Sequence, residues 1–298
     1  MTRNTKLQFH YGLMVLPGFA WLFLFSIVPM YGIVMAFQYF NPALGFFRSR
    51  WIGLDNFKYL FMLNDSILVI KNTIIISSAK MILNLLVPLL FALLLNEVSI
   101  YRYKRIVQTI VYLPHFISWV ILASVILNIF GYQGVVNTIA SSLFGMEPKV
   151  WLSDAHFFRP LVIWSEVWKD FGFNAVIFLA ALTGINPELY EAAAIDGANR
   201  LSSTWHVTIP GIASTIVVIG VLSLGKILNA GFDQIYNLYN PIVYSTGDII
   251  DTWVYRIGLV SLQFSLGTAA GFLKSVVSFV LIVISYIMAY KFADYKVF

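Results

Sequence analysis

Apolar residues in this chain come in long, nearly unbroken runs rather than in the alternating or three-to-four spacing of soluble strands and helices. The first extends from about Tyr11 to Phe37, and others cover about Ile67 to Leu95, Ile106 to Phe130, Phe158 to Leu182, Ile209 to Ala230 and Phe272 to Tyr290. Each approaches or exceeds the ~20 residues that a helix needs to cross a ~30 Å hydrocarbon layer. The pattern predicts an all-α polytopic membrane protein with six transmembrane helices in one domain over residues 1–298. The first run is longer than the apolar centre of about 7–15 residues in a signal peptide, and no small-residue cleavage pattern follows it, so it is expected to remain as the first helix. The stretches Gln38 to Ser66, Gly131 to Phe157 and Gly231 to Gly271 are rich in aromatics and turn formers, which predicts short interfacial helices such as Trp51 to Phe61.

Composition agrees. Of 298 residues, 59% are apolar and 11% charged, against roughly 25% charged in soluble domains. With no cysteine, disulfides, thiol nucleophiles and cysteine metal sites are excluded, and His10, His115, His156 and His206 are too scattered for a local metal motif. The net charge of +5 contains no basic run longer than Lys104-Arg105, so it points to membrane orientation and not to nucleic acid. With both termini inside, the inner segments hold Arg3, Lys6, Arg102, Lys104, Arg105, Arg200, Lys291 and Lys296, while the longer outer segments hold only Arg48, Arg50, Lys58, Lys149 and Arg256. The density difference favours cytoplasmic termini.

One inner loop is unlike a plain connector. Asn186 can cap a helix, Pro187 suits its first position, Glu188 complements its positive end, and Ala192, Ala193 and Ala194 favour it. Gly197 then ends it, and a second helix leads through Trp205 to Pro210. Small alanines leave a helix backbone open to close approach by another protein, and Glu191 and Asp196 offer carboxylates for docking. An amphipathic helix lying on the membrane surface is the plainer alternative.

Glu191-Ala192-Ala193, Asp196-Gly197-Ala198, Val207, Ile209 and Pro210 resemble the EAA motif of binding-protein-dependent ABC importer permeases, the MetI-like type I fold. Thr204 stands where an aromatic is common in that family, and Ile209 replaces a leucine. The segments Leu16-Pro17-Gly18, Pro29-Met30-Tyr31-Gly32, Tyr112 to Trp119 and Gly231-Phe232-Asp233-Gln234-Ile235 are similar to the polysaccharide and complex-oligosaccharide branch of its carbohydrate permeases. The resemblance implies a non-enzymatic transport subunit in a bacterial cytoplasmic membrane. It implies that Glu191, Ala192, Ala193, Asp196, Gly197 and Ala198 enter a cleft on an ATPase dimer, which alone uses ATP and magnesium, so that this chain binds no cofactor. A second homologous permease, an extracytoplasmic solute-binding protein and an oligosaccharide substrate complete the implied set. The octet Gly220 to Ile227 matches a phosphate-binding loop up to its last position, but Ile227 lacks the hydroxyl for magnesium and the octet lies in an apolar run.

Ionisable groups inside spans are costly and mark function by default. Glu166, Lys169, Asp170 and Phe173 share one face of span four, and Ser223, Lys226 and Asn229 share one face of span five. With Trp164 and Trp168 beside the first stripe, the two can line a hydrated path for sugars; equally, Glu166, Lys169 and Asp170 can neutralise one another as a structural ion pair. Lys80 is expected to pair with Asp170 or to meet an anionic substrate, and Lys71 and Lys274 to snorkel from span ends. Trp21, Tyr39, Trp151 and Trp253 are expected in the interfacial belt. Pro17, Pro29, Pro88 and Pro114 permit bends. The same buried charges would serve an ion- or proton-coupled sugar carrier. The helix-glycine-helix loop and the lack of an internal repeat speak against that carrier. A membrane enzyme acting on lipid-linked sugars finds no paired carboxylates or nucleophile-base constellation.

Overall fold

The computed structural model describes residues 3–293, so Lys296 of the charge count lies outside the described residues. Helix dominates. Along the chain come α1 (Arg3–Leu22), α2 (Gly45–Arg48), α3 (Asp55–Met62), α4 (Asn64–Asn96), α5 (Tyr101–Tyr112), α6 (Trp119–Phe130), α7 (Val135–Phe144) and α8 (Ala155–Thr183). They are followed by α9 (Glu188–Ile195), α10 (Arg200–Ser203), α11 (Ile209–Gly211), α12 (Ala213–Leu224), α13 (Phe232–Leu238), α14 (Tyr244–Gly247), α15 (Ile250–Tyr255) and α16 (Phe264–Ala293). The strands among the described residues are β1 (Gln38–Tyr39) and β2 (Arg50–Trp51), paired antiparallel with Gln38 opposite Trp51. Four helical stretches are long and apolar enough to cross a membrane, and six when each of two bent pairs is taken as one span.

Several boundaries differ from the hydropathy reading. The third run is not one helix: α5 ends in a 3-10 turn at Leu113–Phe116, Ile117 is extended, and Ser118 caps α6 with its hydroxyl accepting from the Ile121 amide at 3.4 Å. Pro114 has no amide hydrogen to continue the helical ladder; Leu113 before it keeps helical dihedrals (φ −55°, ψ −43°), and the chain leaves helix at Ile117. The fifth run holds the short α11 and then α12 as regular helix, and the chain turns through Gly225 to a left-handed Gly231 at φ +92°. In the sixth, α16 begins at Phe264, eight residues before the predicted start at Phe272. The short helix foreseen at Trp51 is α3, displaced because Trp51 itself pairs in β2. Pro88 is accommodated inside an unbroken α4.

Contacts divide the chain into two compact units, Met1–Leu63 with Val254–Leu273, and Asn64–Trp253 with Lys274–Phe298. In the first, Phe37 stacks on Trp51 with centroids 5.8 Å apart and meets Phe57 and Phe272 at 5.3 and 5.9 Å. Buried Asn56 on α3 donates to the carbonyls of Ala36 and Gln38 at 2.8 and 3.1 Å, tying α3 to the hairpin.

In the second unit α4 packs along α8. One core gathers Ile76, Leu122, Ile126, Phe158 and Val162 with Ile235 and Leu238 of α13; another joins Ala92, Ala175, Phe178 and Ile212. Trp253 is only 4% exposed, so it is a core residue and not an interfacial one, and Trp151 is held by an indole hydrogen bond to Asn137 at 2.8 Å. Outside the spans, Asp154 caps α8 by accepting from the His156 amide at 2.9 Å, and the hydrogen bonds from the His156 and Phe157 amides hold its carboxyl below the usual range. The cap therefore acts above ordinary carboxylate pKa values and is lost as pH falls through the lowered one.

Close approach fixes two glycines. A Cβ at Gly172 would collide with the Val111 carbonyl, and one at Gly247 with the ring of Phe158, itself fully buried. Gly247→Ala is expected to cost about 1–3 kcal/mol by overpacking, read as a lower unfolding temperature in detergent; an unchanged melt would contradict this packing.

Candidate functional site

Two places concentrate the residues singled out by the sequence. The first is the loop between α8 and α12. Asn186 Oδ1 accepts from the Glu188 amide at 3.1 Å, and α9 leaves the axis of α8 at 73°. None of its residues is buried, and Leu189 and Ile195 are 52% and 86% exposed. The amides of Asp196, Gly197 and Ala198 return to the carbonyls of Ala192, Ala194 and Ala193 at 3.0, 3.1 and 2.9 Å, closing the helix end around Gly197. Gly197 sits at φ +80°, where a side chain is strained, and open space surrounds its Cα. Asn199 caps the next turn by accepting from the Ser202 amide at 2.8 Å. The Tyr190 hydroxyl meets Thr208 Oγ1 at 3.0 Å, bracing α9 against the following segment. Glu191, Ala192, Asp196 and Gly197 are thus exposed on a short, well-terminated helix, with Ala193 and Ala198 half-buried.

The second is a buried polar cluster joining α4, α8 and α13. Lys80, 3% exposed, donates to Glu166 Oε2, to the Ala230 carbonyl at 2.6 Å and to Gln234 Oε1 at 2.5 Å. The amide of Gln234, fully buried, donates in turn to the Val162 carbonyl at 2.7 Å and Ser165 Oγ at 2.8 Å. A side chain at Gly231 would press on Lys80 Nζ and Glu166 Oε2 at 3.0 and 3.1 Å. Lys80 therefore pairs with Glu166 and not with Asp170 as expected. Glu166 lies one helical turn from Asp170, and the turn at Gly231 brings a carbonyl to the Glu166 level.

The rest of the first stripe faces another partner. Asp170 Oδ1 meets His115 Nδ1 at 2.9 Å, Lys169 donates to the His115 carbonyl at 2.7 Å and stands 3.6 Å from Asp170, and Phe173 stacks parallel on the His115 ring at 4.1 Å. Both ring contacts and carbonyl come from the break at Leu113–Phe116. Trp164 and Trp168 are exposed, at 56% and 51%. The second stripe does not continue as a helical face, because α12 ends at Leu224: Ser223 bonds back to the Ile219 carbonyl at 2.7 Å, while Lys226 and Asn229 lie exposed in the turn beyond. Lys274 does not snorkel; it donates to Asp251 at 2.6 Å and to Asn229 at 2.9 Å.

Sequence reasoning passed over Gln234, His115 and Asp251. The first two stood inside segments quoted for their resemblance, and polar residues beside Gly231 and Pro114, at breaks in apolar runs, were the available signal. Among the described residues no cluster of three or more metal-ligating side chains occurs.

Removing one partner of a buried ion pair leaves a charge uncompensated, at about 3–5 kcal/mol. Lys80→Met is therefore expected to lower the unfolding temperature in detergent strongly, and Lys80→Met with Glu166→Leu to recover part of the loss. A double variant no better than Lys80→Met would show that the pair is not what stabilises this cluster.

Residues 84–294 match the family described as "Binding-protein-dependent transport system inner membrane component". The chain is 42% identical to Protein LplB of Bacillus subtilis over 94% of this chain and 88% of that one. It is 43% identical to the polygalacturonan/rhamnogalacturonan transport system permease protein YteP of the same organism, over 95% and 88%. Among solved structures it is similar to a bacterial ABC transporter involved in the import of the acidic polysaccharide alginate, with 39% identity, a TM-score of 0.89 and coverage of 97% and 98%. That transporter in complex with an alginate pentasaccharide-bound periplasmic protein matches with 38% identity, a TM-score of 0.89 and 99% of both chains. On this match the chain belongs to the family of binding-protein-dependent transport system inner membrane components, multi-pass membrane subunits that transport without catalysing bond chemistry.

Proposed function

We propose that the chain is one permease half of an ATP-driven importer for oligosaccharides delivered by an extracytoplasmic binding protein, working by alternating access with a second, similar permease. The observation that carries this reading is α9, with no buried residue, set at 73° to α8 and ended by left-handed Gly197, in a chain 39% identical to an alginate importer subunit along 97% of its length. A partner ATPase dimer grips this helix from the cytoplasm, where both termini also lie; Glu191, Ala192, Ala193, Asp196, Gly197 and Ala198 form the handle. ATP and magnesium belong to that partner, and this chain binds no cofactor. The similarity to permeases for polygalacturonan, rhamnogalacturonan and alginate supports uronate-containing chains as the substrate class. Trp164, Trp168 and Lys226 are the exposed groups placed to meet a sugar in the path, with Asn229 exposed beside them and held by Lys274; Glu166, Lys169, Asp170 and Phe173 frame it through their pairings. The carrier alternative has less support, because Lys80 and Glu166 hold each other, as do Asp170 and His115, leaving no open relay of carboxylates.

The transporter purified through this chain should bring a soluble ATPase with it, and binding protein loaded with acidic oligosaccharides should stimulate hydrolysis more than empty protein. Glu191→Lys or Gly197→Val should cut uptake about tenfold or more while membrane insertion and the melt stay near wild type, since no side chain packs against either position. The Gly197 change costs only the left-handed backbone strain, ~1–2 kcal/mol. Uptake at the wild-type rate with both changed would rule out α9 as the coupling element.

A further inference from the structure

The unit formed by Met1–Leu63 and Val254–Leu273 carries a cleft of about 550 Å³, within the range of roughly 300–1,000 Å³ typical of small-molecule sites. Most of its walls lie upstream of the stretch that matches the family, which begins at residue 84. Its floor is aromatic: Phe40 meets Phe46 at 5.2 Å and Phe264 edge-on at 6.2 Å, and the Phe40 amide donates to Ser265 Oγ at 2.9 Å, fixing the end of β1 to the start of α16. Its mouth holds Tyr39 and Tyr59, 71% and 50% exposed. Buried Asn56 uses its amide hydrogens on two backbone carbonyls, which leaves Oδ1 as an acceptor on the wall. Asp55 is the one charged group in the lining.

Leu262 adds an independent observation. It is the one non-glycine residue with positive φ among the described residues, at +57°, in a turn where the Ser261 amide returns to the Arg256 carbonyl at 2.8 Å and that of Gln263 to Ile257 at 3.0 Å. Helix ends of this kind take glycine, because the left-handed conformation strains an L side chain. Here a leucine is kept, and its side chain, 68% exposed, lines the cleft instead of packing in a core. Strain held at an exposed lining position points to a contact made with something outside the fold.

We infer that this cleft is a saccharide subsite, which receives one pyranose unit of the transported chain. The inference rests on the oligosaccharide reading above. The tyrosine rings and Leu262 offer flat apolar surface to the C–H face of a sugar ring, while Asn56 Oδ1, Asp55 and Gln263 accept or donate around its rim. A ring hydroxyl donates to the Asp55 carboxylate, which Lys58 also holds at 3.1 Å, so the rim presents a paired charge to the sugar.

The test uses the complete transporter in lipid nanodiscs, titrated without binding protein with neutral and mixed di- to hexasaccharides by calorimetry. Wild type should bind the longer chains, and Leu262→Gly and Tyr59→Ala should each weaken this about fivefold or more. Leu262→Gly should melt at the same or a higher temperature than wild type, because it relieves strain. Stimulation of ATPase by binding protein carrying a disaccharide should stay unchanged in both variants. If the variants instead raise the concentration of binding protein needed for stimulation regardless of the sugar, the cleft is a protein-docking surface and the subsite is wrong. Unaltered calorimetry in both variants, or a lower melt for Leu262→Gly, overturns it as well. A wild-type transporter that no oligosaccharide stimulates, even through its binding protein, refutes the uptake reading itself and this inference with it.

Discussion

The ammonium of Lys80 has three oxygen partners and almost no contact with solvent. In hydrocarbon, a lysine is tolerated only when it faces the protein interior and is fully paired, and this requirement determines much of the surrounding backbone. Glu166 cancels the charge from α8. The Ala230 carbonyl accepts because the fifth run has stopped being helical by Gly225, which frees backbone oxygens that lipid could not satisfy. Gly231 must lack a side chain, since a Cβ would press on both members of the ion pair, and its left-handed turn lets α13 begin with Gln234 pointing back into the same cluster. Irregular backbone at this depth and a buried cation are thus mutually compensating, and neither is stable without the other.

The hydropathy pattern alone indicated the helical, polytopic character of the chain, because crossing a membrane demands long apolar runs that almost nothing else produces. Their interruptions were harder to see. Pro114 and Gly225 were visible as residues, but proline inside a run leaves the helix intact at Pro88 and ends it near Pro114. The difference lies in tertiary contacts: the segment after Pro114 delivers the His115 carbonyl and ring to Lys169, Asp170 and Phe173 on α8. Spacing put Glu166, Lys169 and Asp170 within one turn of a helix, yet it could not assign their partners, which are Lys80 for the first and His115 for the other two. Lys80 reaches Glu166 because of how α4 and α8 are aligned, a quantity that periodicity does not contain. Trp253 and Lys274 were misread for the same reason. Tryptophan and lysine near span ends belong to the interface by default, and here burial in the core and the carboxylate of Asp251 prevailed over that default.

The loop from Asn186 to Pro210 was legible to a much greater degree because its determinants are local. Asn186 as a capping acceptor, alanines in α9 and Gly197 in left-handed conformation each act within a few residues, so sequence and structure coincide there. Its exposure was not written in local preferences, since Leu189, Ile195, Leu201 and Trp205 would be expected to seek cover; they are all more than half exposed. In the proposed importer the ATPase surface provides that cover, which turns apolar residues at a free helix into contact area.

Helix α8 then connects the two sites as one rigid element. Glu166 and Thr183 are separated by seventeen residues of uninterrupted helix, about 26 Å at 1.5 Å per residue. In the proposed importer, displacement of α9 would reach the end of a rod whose other part is locked to α4 and α13 through Lys80 and to the α5–α6 break through His115. Between the locks and the free end, Gly172 lets α8 approach the Val111 backbone more closely than any side chain would allow. A long helix held by charge at one level and by close backbone contact at the next deforms little along its length, so in the proposed importer a pull on its α9 end would appear as rotation of the whole polar cluster. The same pairings that make Lys80 tolerable in the membrane would, in the proposed importer, make its surroundings move together, and they include the turn at residues 225–231, which carries Lys226 and Asn229 and whose Ala230 carbonyl is held by the same ammonium.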